Sequence, residues 1–138
     1  GLRAGYLVAD PGVIDALASI RQIYSEDVMA QAVAAAAVSR RRELVGVVAD
    51  VVAERGRLAA GLAAIPGVEV WPSAANFLLV RLPGASRVRA RLRDEYSILV
   101  RDFSYAPGLA DCLRLTVGTR EENDRLLDAL SILAREEA

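Results

Sequence analysis

One arginine in an apolar, strand-like segment is the residue of this sequence whose chemistry is easiest to assign. Leu113, Leu115 and Val117 alternate with small or polar neighbours, which is the two-residue period of a strand. Arg114 therefore points away from the more apolar face of that strand. A guanidinium on a rigid strand is suited to bidentate binding of a carboxylate or a phosphate. A structural ion pair is the alternative that residue chemistry leaves open.

The residues after this strand predict a helix that begins at once. Thr119 is placed to act as the N-cap, and Glu122 at the third helical position completes a capping box. The helical pattern then extends over residues 121–135. Arg114 is thus expected near the end of a strand that leads directly into a capped helix.

A second arginine is a candidate for the same site. Arg101 lies on a predicted strand at 98–102, which is joined to the strand of Arg114 by the Pro/Gly loop at 105–111. Two strands joined by one loop can be neighbours in a sheet, and two arginines in one cleft would suit a dianion such as phosphate. The alternative is that Arg101 pairs locally with Asp102 or with a helix carboxylate.

Asn76 and Cys112 are two further polar residues that could belong to a site. Asn76 stands at the start of a predicted strand, where an amide most often satisfies turn backbone, and a substrate contact is the alternative. Cys112 has no histidine to activate it, because the sequence contains none, so a catalytic thiol is not expected. The lack of histidine and of clustered cysteines also disfavours a metal site.

Composition restricts the classes of function and partner. All 17 basic side chains are arginine, and the net charge of −1 gives no basic field for nucleic acid. The arginines at 87–93 fall on two stripes of a helix without interleaved aromatic residues, which favours a solvated helix face. The single cysteine fits a reducing, cytosolic setting. The apolar run at 28–38 is too short to span a membrane.

The rest of the chain predicts the elements that position these residues. A helix at 11–20 follows Asp10 as N-cap, and residues 28–65 predict two helices, or one with a break near Ser39. The fold is therefore predicted to be α/β, with helices packed on a small mixed or antiparallel sheet and with one long helical segment. The predicted strands lie at 6–9, 68–71, 76–82, 98–102 and 113–117, and a further helix lies at 85–96.

Four segments together resemble the carboxy-terminal part of a fold-type I pyridoxal-phosphate aminotransferase, and the nearest branch is histidinol-phosphate aminotransferase. They occur in family order along nearly the whole chain, and the first and last are the specific ones. The segments are Gly-Leu-Arg-Ala-Gly-Tyr at 1–6, Ala-Asn-Phe at 75–77, Leu-Val-Arg-Asp at 99–102, and Cys-Leu-Arg-Leu-Thr-Val-Gly-Thr at 112–119 with Arg-Glu-Glu-Asn at 120–123.

The resemblance implies roles for individual residues. In the family, the arginine of the first segment contacts the cofactor phosphate, a role that falls on Arg3. The arginine of the last segment anchors the substrate anion and corresponds to Arg114, while that of the third assists at the substrate phosphate and corresponds to Arg101. Asn76 is a weaker substrate-binding candidate. The implied cofactor is pyridoxal 5'-phosphate, and the implied substrate is a small molecule with a phosphate or a carboxylate.

The resemblance also divides the chain. Residues 1–26 would be a remnant of the large cofactor-binding domain, 27–65 a long interdomain helical segment, and 66–138 the small α/β carboxy-terminal domain. The amino-terminal large domain and the family's Schiff-base lysine are expected outside this sequence, as in a truncated gene or a fragment. The complete enzyme is expected to be a cytoplasmic homodimer of histidine biosynthesis, with neither nucleic acid nor membrane as partner.

No residue of this chain is assigned as catalytic, because the chain contains no lysine. We therefore expect the 138-residue chain to be inactive by itself. A non-catalytic α/β module for anion binding or oligomerisation is the alternative from a different class, since the long apolar helix could form an interface. Within the superfamily, an aromatic aminotransferase or a threonine-phosphate decarboxylase-like enzyme would carry similar motifs.

Overall fold

The computed structural model describes residues 5–22 and 27–136, and the chain divides into two compact units, Gly1–Val45 and Gly46–Ala138. None of the described helices is long and apolar enough to cross a membrane. The helices are α1 (Pro11–Ile20), α2 (Val28–Ser39), α3 (Val45–Ala63), α4 (Ala85–Tyr96) and α5 (Arg120–Glu136), and the strands are β1 (Glu69–Val70), β2 (Phe77–Arg81), β3 (Arg101–Asp102) and β4 (Cys112–Thr116).

The first unit confirms one sequence prediction and corrects another. Helix α1 begins where the backbone N–H of Gly12 donates to the Asp10 carboxylate at 2.9 Å, with Pro11 at the first helical position. The strand predicted at 6–9 is wrong, because these residues have no regular secondary structure. A strand exists only when a neighbouring strand accepts its hydrogen bonds, and none of the described residues pairs with this segment.

The predicted interruption of the long helical segment is confirmed. Helix α2 ends at Ser39, a single 3-10 turn covers Arg41–Leu44, and α3 follows. The Ser39 hydroxyl donates to the carbonyl of Ala35 at 2.8 Å, a bond that weakens the regular helical ladder at its own position.

The second unit is built on an antiparallel sheet with strand order β1-β2-β4-β3, which confirms the predicted α/β layer. Leu78 lies opposite Leu115, and Val80 opposite Leu113, on one face of this sheet. Helices α3, α4 and α5 cover that face and bury it with leucine, valine and alanine side chains. Replacing one such buried leucine with alanine would lower the free energy of unfolding by about 2 to 5 kcal/mol. Because a slip of β4 by one residue would expose these leucines, their burial fixes the register of the strand.

The strand predicted at 98–102 is shorter than expected. Only Arg101 and Asp102 pair with β4. Ser97 ends helix α4 in the left-handed conformation with φ 57°, and the N–H of Ile98 donates back to the carbonyl of Leu92 at 2.8 Å. Ile98 therefore caps the helix instead of extending the sheet, and the chain reaches β4 only at Arg101.

A buried polar side chain joins α3 to the turn between β4 and α5. The Asn123 amide donates to the Glu54 carboxylate at 3.0 Å and to the Gly118 carbonyl at 3.1 Å, and its oxygen accepts from the Gly118 N–H at 3.0 Å. Glu54 also accepts hydrogen bonds from Arg57, which pairs in turn with Asp124. These contacts hold the end of the strand that carries Arg114.

The acid sensitivity of this network can be tested. Hydrogen bonds from Arg57 and then from Asn123 lower the pKa of Glu54 from 4.5 to about 2. Because the folded pKa lies below the unfolded one, the carboxylate contributes fully to the unfolding free energy above about pH 4.5, and this contribution is lost as the pH falls toward 2. We expect chemical denaturation to show this decline, and Glu54→Gln to show a smaller one.

The matched control is Glu121→Gln, which removes an exposed carboxylate from α5 and should leave the decline of the parent chain intact. Equal declines for the parent chain and Glu54→Gln between pH 5 and pH 2 would contradict this assignment.

Candidate functional site

Arg114 lies on the face of the sheet that points away from the helices. On β4 it alternates with the buried Leu113 and Leu115, and its own side chain is half-buried. The strand leads into α5 through the predicted capping box: the Thr119 N–H donates to Glu122 at 2.8 Å, and the Glu122 N–H donates to the Thr119 hydroxyl at 3.3 Å. The guanidinium therefore stands on a backbone that is fixed at its core face and at its end.

The sheet register brings the two candidate arginines together. Arg101 on β3 is the direct partner of Arg114 on β4, and Leu79 on β2 is its partner on the other side. The prediction that Arg101 and Arg114 are sheet neighbours is confirmed. Like charges directly opposite each other destabilise a sheet, so a pair of arginines at this position favours an anion between them.

Two aromatic rings flank Arg114. Its guanidinium carbon lies over the ring of Phe77 at 5.3 Å from the ring centroid and over the ring of Phe103 at 5.7 Å. Both distances are within the range of a cation–π interaction. Phe103 also stacks on Tyr105, with 6.1 Å between ring centroids.

The structure does not support the ion-pair alternative for these arginines. Among the described residues, neither Arg114 nor Arg101 has a hydrogen bond or a salt bridge to a carboxylate. Asp102, the suggested local partner of Arg101, accepts instead from the Ser86 hydroxyl at 2.7 Å and from the Ser104 N–H at 2.8 Å. Burial opposes ionisation of this carboxyl group, but the hydrogen bonds from these serines lower the pKa of Asp102 below its usual value.

The remaining sequence candidates are placed differently. Arg3 lies outside the described residues. Asn76 precedes β2 and is exposed, and its carbonyl accepts from the Val117 N–H at 2.9 Å. It lies in a bend outside the paired residues of β2, so the alternation of that strand does not fix the direction of its side chain.

Cys112 is not available as a reactive group on the face of Arg114. The Cys112 side chain is fully buried, and its thiol contacts the Ala110 carbonyl at 3.4 Å. Within residues 5–22 and 27–136, no cluster of three His, Cys, Asp or Glu side chains could hold a metal ion. The guanidinium groups of Arg114 and Arg101 are the groups of this face that could bind an anion.

Sequence reasoning missed the two phenylalanines. In the sequence, Phe77 stands out only as part of the Ala-Asn-Phe segment, and Phe103 only as the residue that follows the Leu-Val-Arg-Asp segment. Their positions on either side of Arg114 follow from the register of three strands, which sequence spacing does not give. The signal that the sequence does offer is the two-residue spacing of Arg101 and Phe103, which places both side chains on one face.

The chain as a whole matches a known class of protein. The chain belongs to the aminotransferase class I and II family, whose sequence model matches residues 1–130. This confirms the resemblance predicted from the four segments.

Curated relatives of this chain carry a more specific name. The chain is 47% identical over 138 residues to a histidinol-phosphate aminotransferase of Roseiflexus castenholzii, covering 97% of the chain and 37% of that protein. It is 45% identical over 133 residues to histidinol-phosphate aminotransferase 1 of Burkholderia lata, covering 96% and 37%. The chain thus spans about 37% of the length of these curated relatives, and it matches their carboxy-terminal part.

Solved structures have the same fold. The histidinol-phosphate aminotransferase of Sinorhizobium meliloti, solved with pyridoxal-5'-phosphate, matches 93% of this chain with a TM-score of 0.75 and 29% identity, over 35% of its own length. The L-threonine-O-3-phosphate decarboxylase of Porphyromonas gingivalis matches 93% with a TM-score of 0.80, over 40% of its length. At 23% identity the second comparison supports the fold alone.

Anion binding at this face can be measured on the chain itself. We expect inorganic phosphate to shift the guanidinium NMR signals of Arg114 and Arg101, because these cations lack carboxylate partners among the described residues. Arg114→Gln should weaken phosphate binding by about tenfold or more, since it removes charged hydrogen bonds.

The control is Arg135→Gln, which changes an exposed arginine in the last turn of α5 and should leave the phosphate affinity unchanged. Phosphate shifts that are spread over the arginines of α4, with no change in Arg114→Gln, would contradict the site.

Proposed function

We propose that this chain supplies the anion-anchoring part of a pyridoxal-phosphate-dependent aminotransferase that acts on histidinol phosphate. In this proposal, the complete protein transfers an amino group between glutamate or 2-oxoglutarate and the phosphate-bearing substrate. Arg114 and Arg101 hold the substrate anion.

One observation carries the proposal: two directly opposed arginines without a carboxylate partner among the described residues. A phosphate monoester carries nearly two negative charges at neutral pH, which matches two guanidinium groups better than a single carboxylate does. The planar fork of Arg114 can donate two parallel N–H bonds to such an anion, and Arg101 adds the second positive charge. Binding the phosphate at a fixed strand orients the rest of the substrate.

The names of the relatives support the choice of substrate. The two relatives named above are histidinol-phosphate aminotransferases at 47% and 45% identity. The matched regions cover 97% and 96% of this chain and therefore include the segment of Arg114. The activity itself is proposed for the complete protein, since the chain corresponds to about 37% of such relatives.

The cofactor is part of the same proposal. Pyridoxal phosphate supplies the electron sink for amino transfer when it is bound. Arg3 is proposed to hold its phosphate, as the family resemblance implies, but this residue lies outside the described part of the structure. The described arginines are used for the substrate, and the chain has no lysine to link to the cofactor. We therefore derive only substrate binding and orientation from these residues.

The cellular setting is proposed from the same relationship. We infer a cytoplasmic enzyme of histidine biosynthesis that acts as a homodimer. Asn76 is kept as a weaker candidate for a substrate contact, made from the start of β2. Light scattering of the complete protein would test the dimer.

Three alternatives can be separated by experiment. A threonine-phosphate decarboxylase-like relative would use the same arginines for a different phosphate ester, and an aromatic aminotransferase would use them for a carboxylate. A non-catalytic anion-binding or oligomerisation module would bind phosphate without supporting amino transfer.

A chimeric enzyme tests the function directly. We would replace the corresponding carboxy-terminal segment of the Roseiflexus castenholzii relative, which is 47% identical, with these 138 residues. We expect this chimera to transfer the amino group of histidinol phosphate to 2-oxoglutarate. Arg114→Gln should lower kcat/KM by about 100-fold, because it leaves the substrate anion without its main partner.

The controls separate the alternatives. The unmodified relative fixes the reference rate, and Arg135→Gln in the chimera should keep it, because that residue lies on the exposed last turn of α5. A chimera that binds the cofactor but acts only on threonine phosphate or aromatic substrates would contradict the proposed substrate. An active chimera with unchanged kcat/KM in Arg114→Gln would contradict the site.

A further inference from the structure

We propose that Phe77 and Phe103 form an aromatic clamp that positions the Arg114 guanidinium without neutralising it. This inference rests on the proposed role of Arg114 as the substrate anchor. It assigns a positioning role to two residues whose only side-chain chemistry is an apolar ring.

The sheet register explains why both rings reach Arg114. Phe77 pairs with Thr116, two residues beyond Arg114 on β4, and the N–H of Phe103 donates to the carbonyl of Cys112, two residues before it. The rings are therefore diagonal neighbours of the arginine, one on each flanking strand and both on its face. Diagonal positions lie within reach of aromatic and long side chains. The guanidinium carbon is 5.3 Å from one centroid and 5.7 Å from the other.

A clamp of rings has a different electrostatic effect from a carboxylate. The face of a phenyl ring attracts a cation through its quadrupole but carries no net charge. It offers no acceptor oxygen, so the N–H donors of Arg114 stay available for the oxygens of an anion. A carboxylate at the same place would fix the guanidinium equally well, but it would compete with the substrate for the same donors.

The backbone at each ring is itself held in place. The carbonyl of Phe77 accepts from the Ser73 hydroxyl at 2.6 Å, and the preceding Ala75 carbonyl accepts from Arg55 of α3 at 2.9 Å. The backbone N–H of Phe103 donates to β4 at 2.9 Å, and the Phe103 carbonyl accepts from Ala106 at 2.9 Å. Both rings are thus half-buried side chains on fixed backbone, as positioning residues must be.

The two arginines of the site therefore differ. Arg101 is exposed and has no ring contact among the described residues, whereas Arg114 is half-buried between two rings. A preorganised cation loses less freedom on binding an anion than an exposed one. The clamp is accordingly expected to strengthen ground-state binding at Arg114, with its effect in KM more than in kcat.

An NMR measurement tests the geometry without any variant. In the 138-residue chain, ring currents from two flanking rings should shift the Nε–H and side-chain methylene protons of Arg114 upfield of those of Arg101. Signals of Arg114 that coincide with those of Arg101 would overturn the clamp.

Variants test its effect on binding. Phe77→Leu and Phe103→Leu, which keep an apolar side chain but remove the ring, should each weaken phosphate binding by the chain about two- to fivefold. Each should raise the KM of the chimera for histidinol phosphate by the same factor, with kcat changed less than twofold. Phe103→Trp, which restores a stronger cation–π partner, should return both values to those of the parent.

The matched control is Tyr105→Leu. Tyr105 stacks on Phe103, but its ring makes no cation–π contact with Arg114, so this variant should keep the parental phosphate affinity and KM. Equal losses in Tyr105→Leu and Phe103→Leu, or no rescue by Phe103→Trp, would show a merely structural effect and overturn the proposal.

The outcomes for the clamp and for the function can be told apart. An inactive chimera would contradict the proposed function. The phosphate affinity and the ring-current shifts of the 138-residue chain would still test whether the two rings position Arg114. If Arg114→Gln abolishes phosphate binding but neither leucine variant weakens it, the anion site stands and the clamp is wrong.

Discussion

The two-residue alternation of β4 is the constraint on which the rest of this structure depends. Leu113 and Leu115 must be buried against the helices, and this requirement turns Arg114 to the opposite face. A slip of one residue would bury the guanidinium and expose two leucines, which burial energy strongly opposes. The apolar core thus fixes the direction of Arg114, the proposed main anchor of the anion, and the Asn123 contacts at Gly118 hold the end of the same strand.

Placing two arginines opposite each other has an electrostatic cost that the described residues do not cancel with a carboxylate. A dianion bound between the two guanidinium groups would remove their repulsion. The relief of that repulsion would add to the binding free energy of the dianion. The aromatic rings beside Arg114 reduce the freedom of that cation while leaving its charge unpaired. Core, sheet register and rings therefore act together on one guanidinium.

Local patterns predicted much of the fold and part of the site. The caps of α1 and α5, the break near Ser39 and the adjacency of Arg101 and Arg114 follow from short-range spacing. The strand predicted at 6–9 was wrong because pairing needs a partner strand, and that at 98–102 was shortened because Ile98 caps α4. Phe77 lies on a strand distant in sequence from Arg114, and Phe103 directly follows β3, so only the three-dimensional register brings both rings to the arginine.

A crystal structure of the chimera with bound histidinol phosphate would test the central claim most directly. We expect two phosphate oxygens at about 2.7–2.9 Å from N–H groups of Arg114, with Arg101 on the same phosphate and the rings of Phe77 and Phe103 still against the guanidinium. A carboxylate of the protein paired with Arg114, or a substrate phosphate bound away from both arginines, would contradict it.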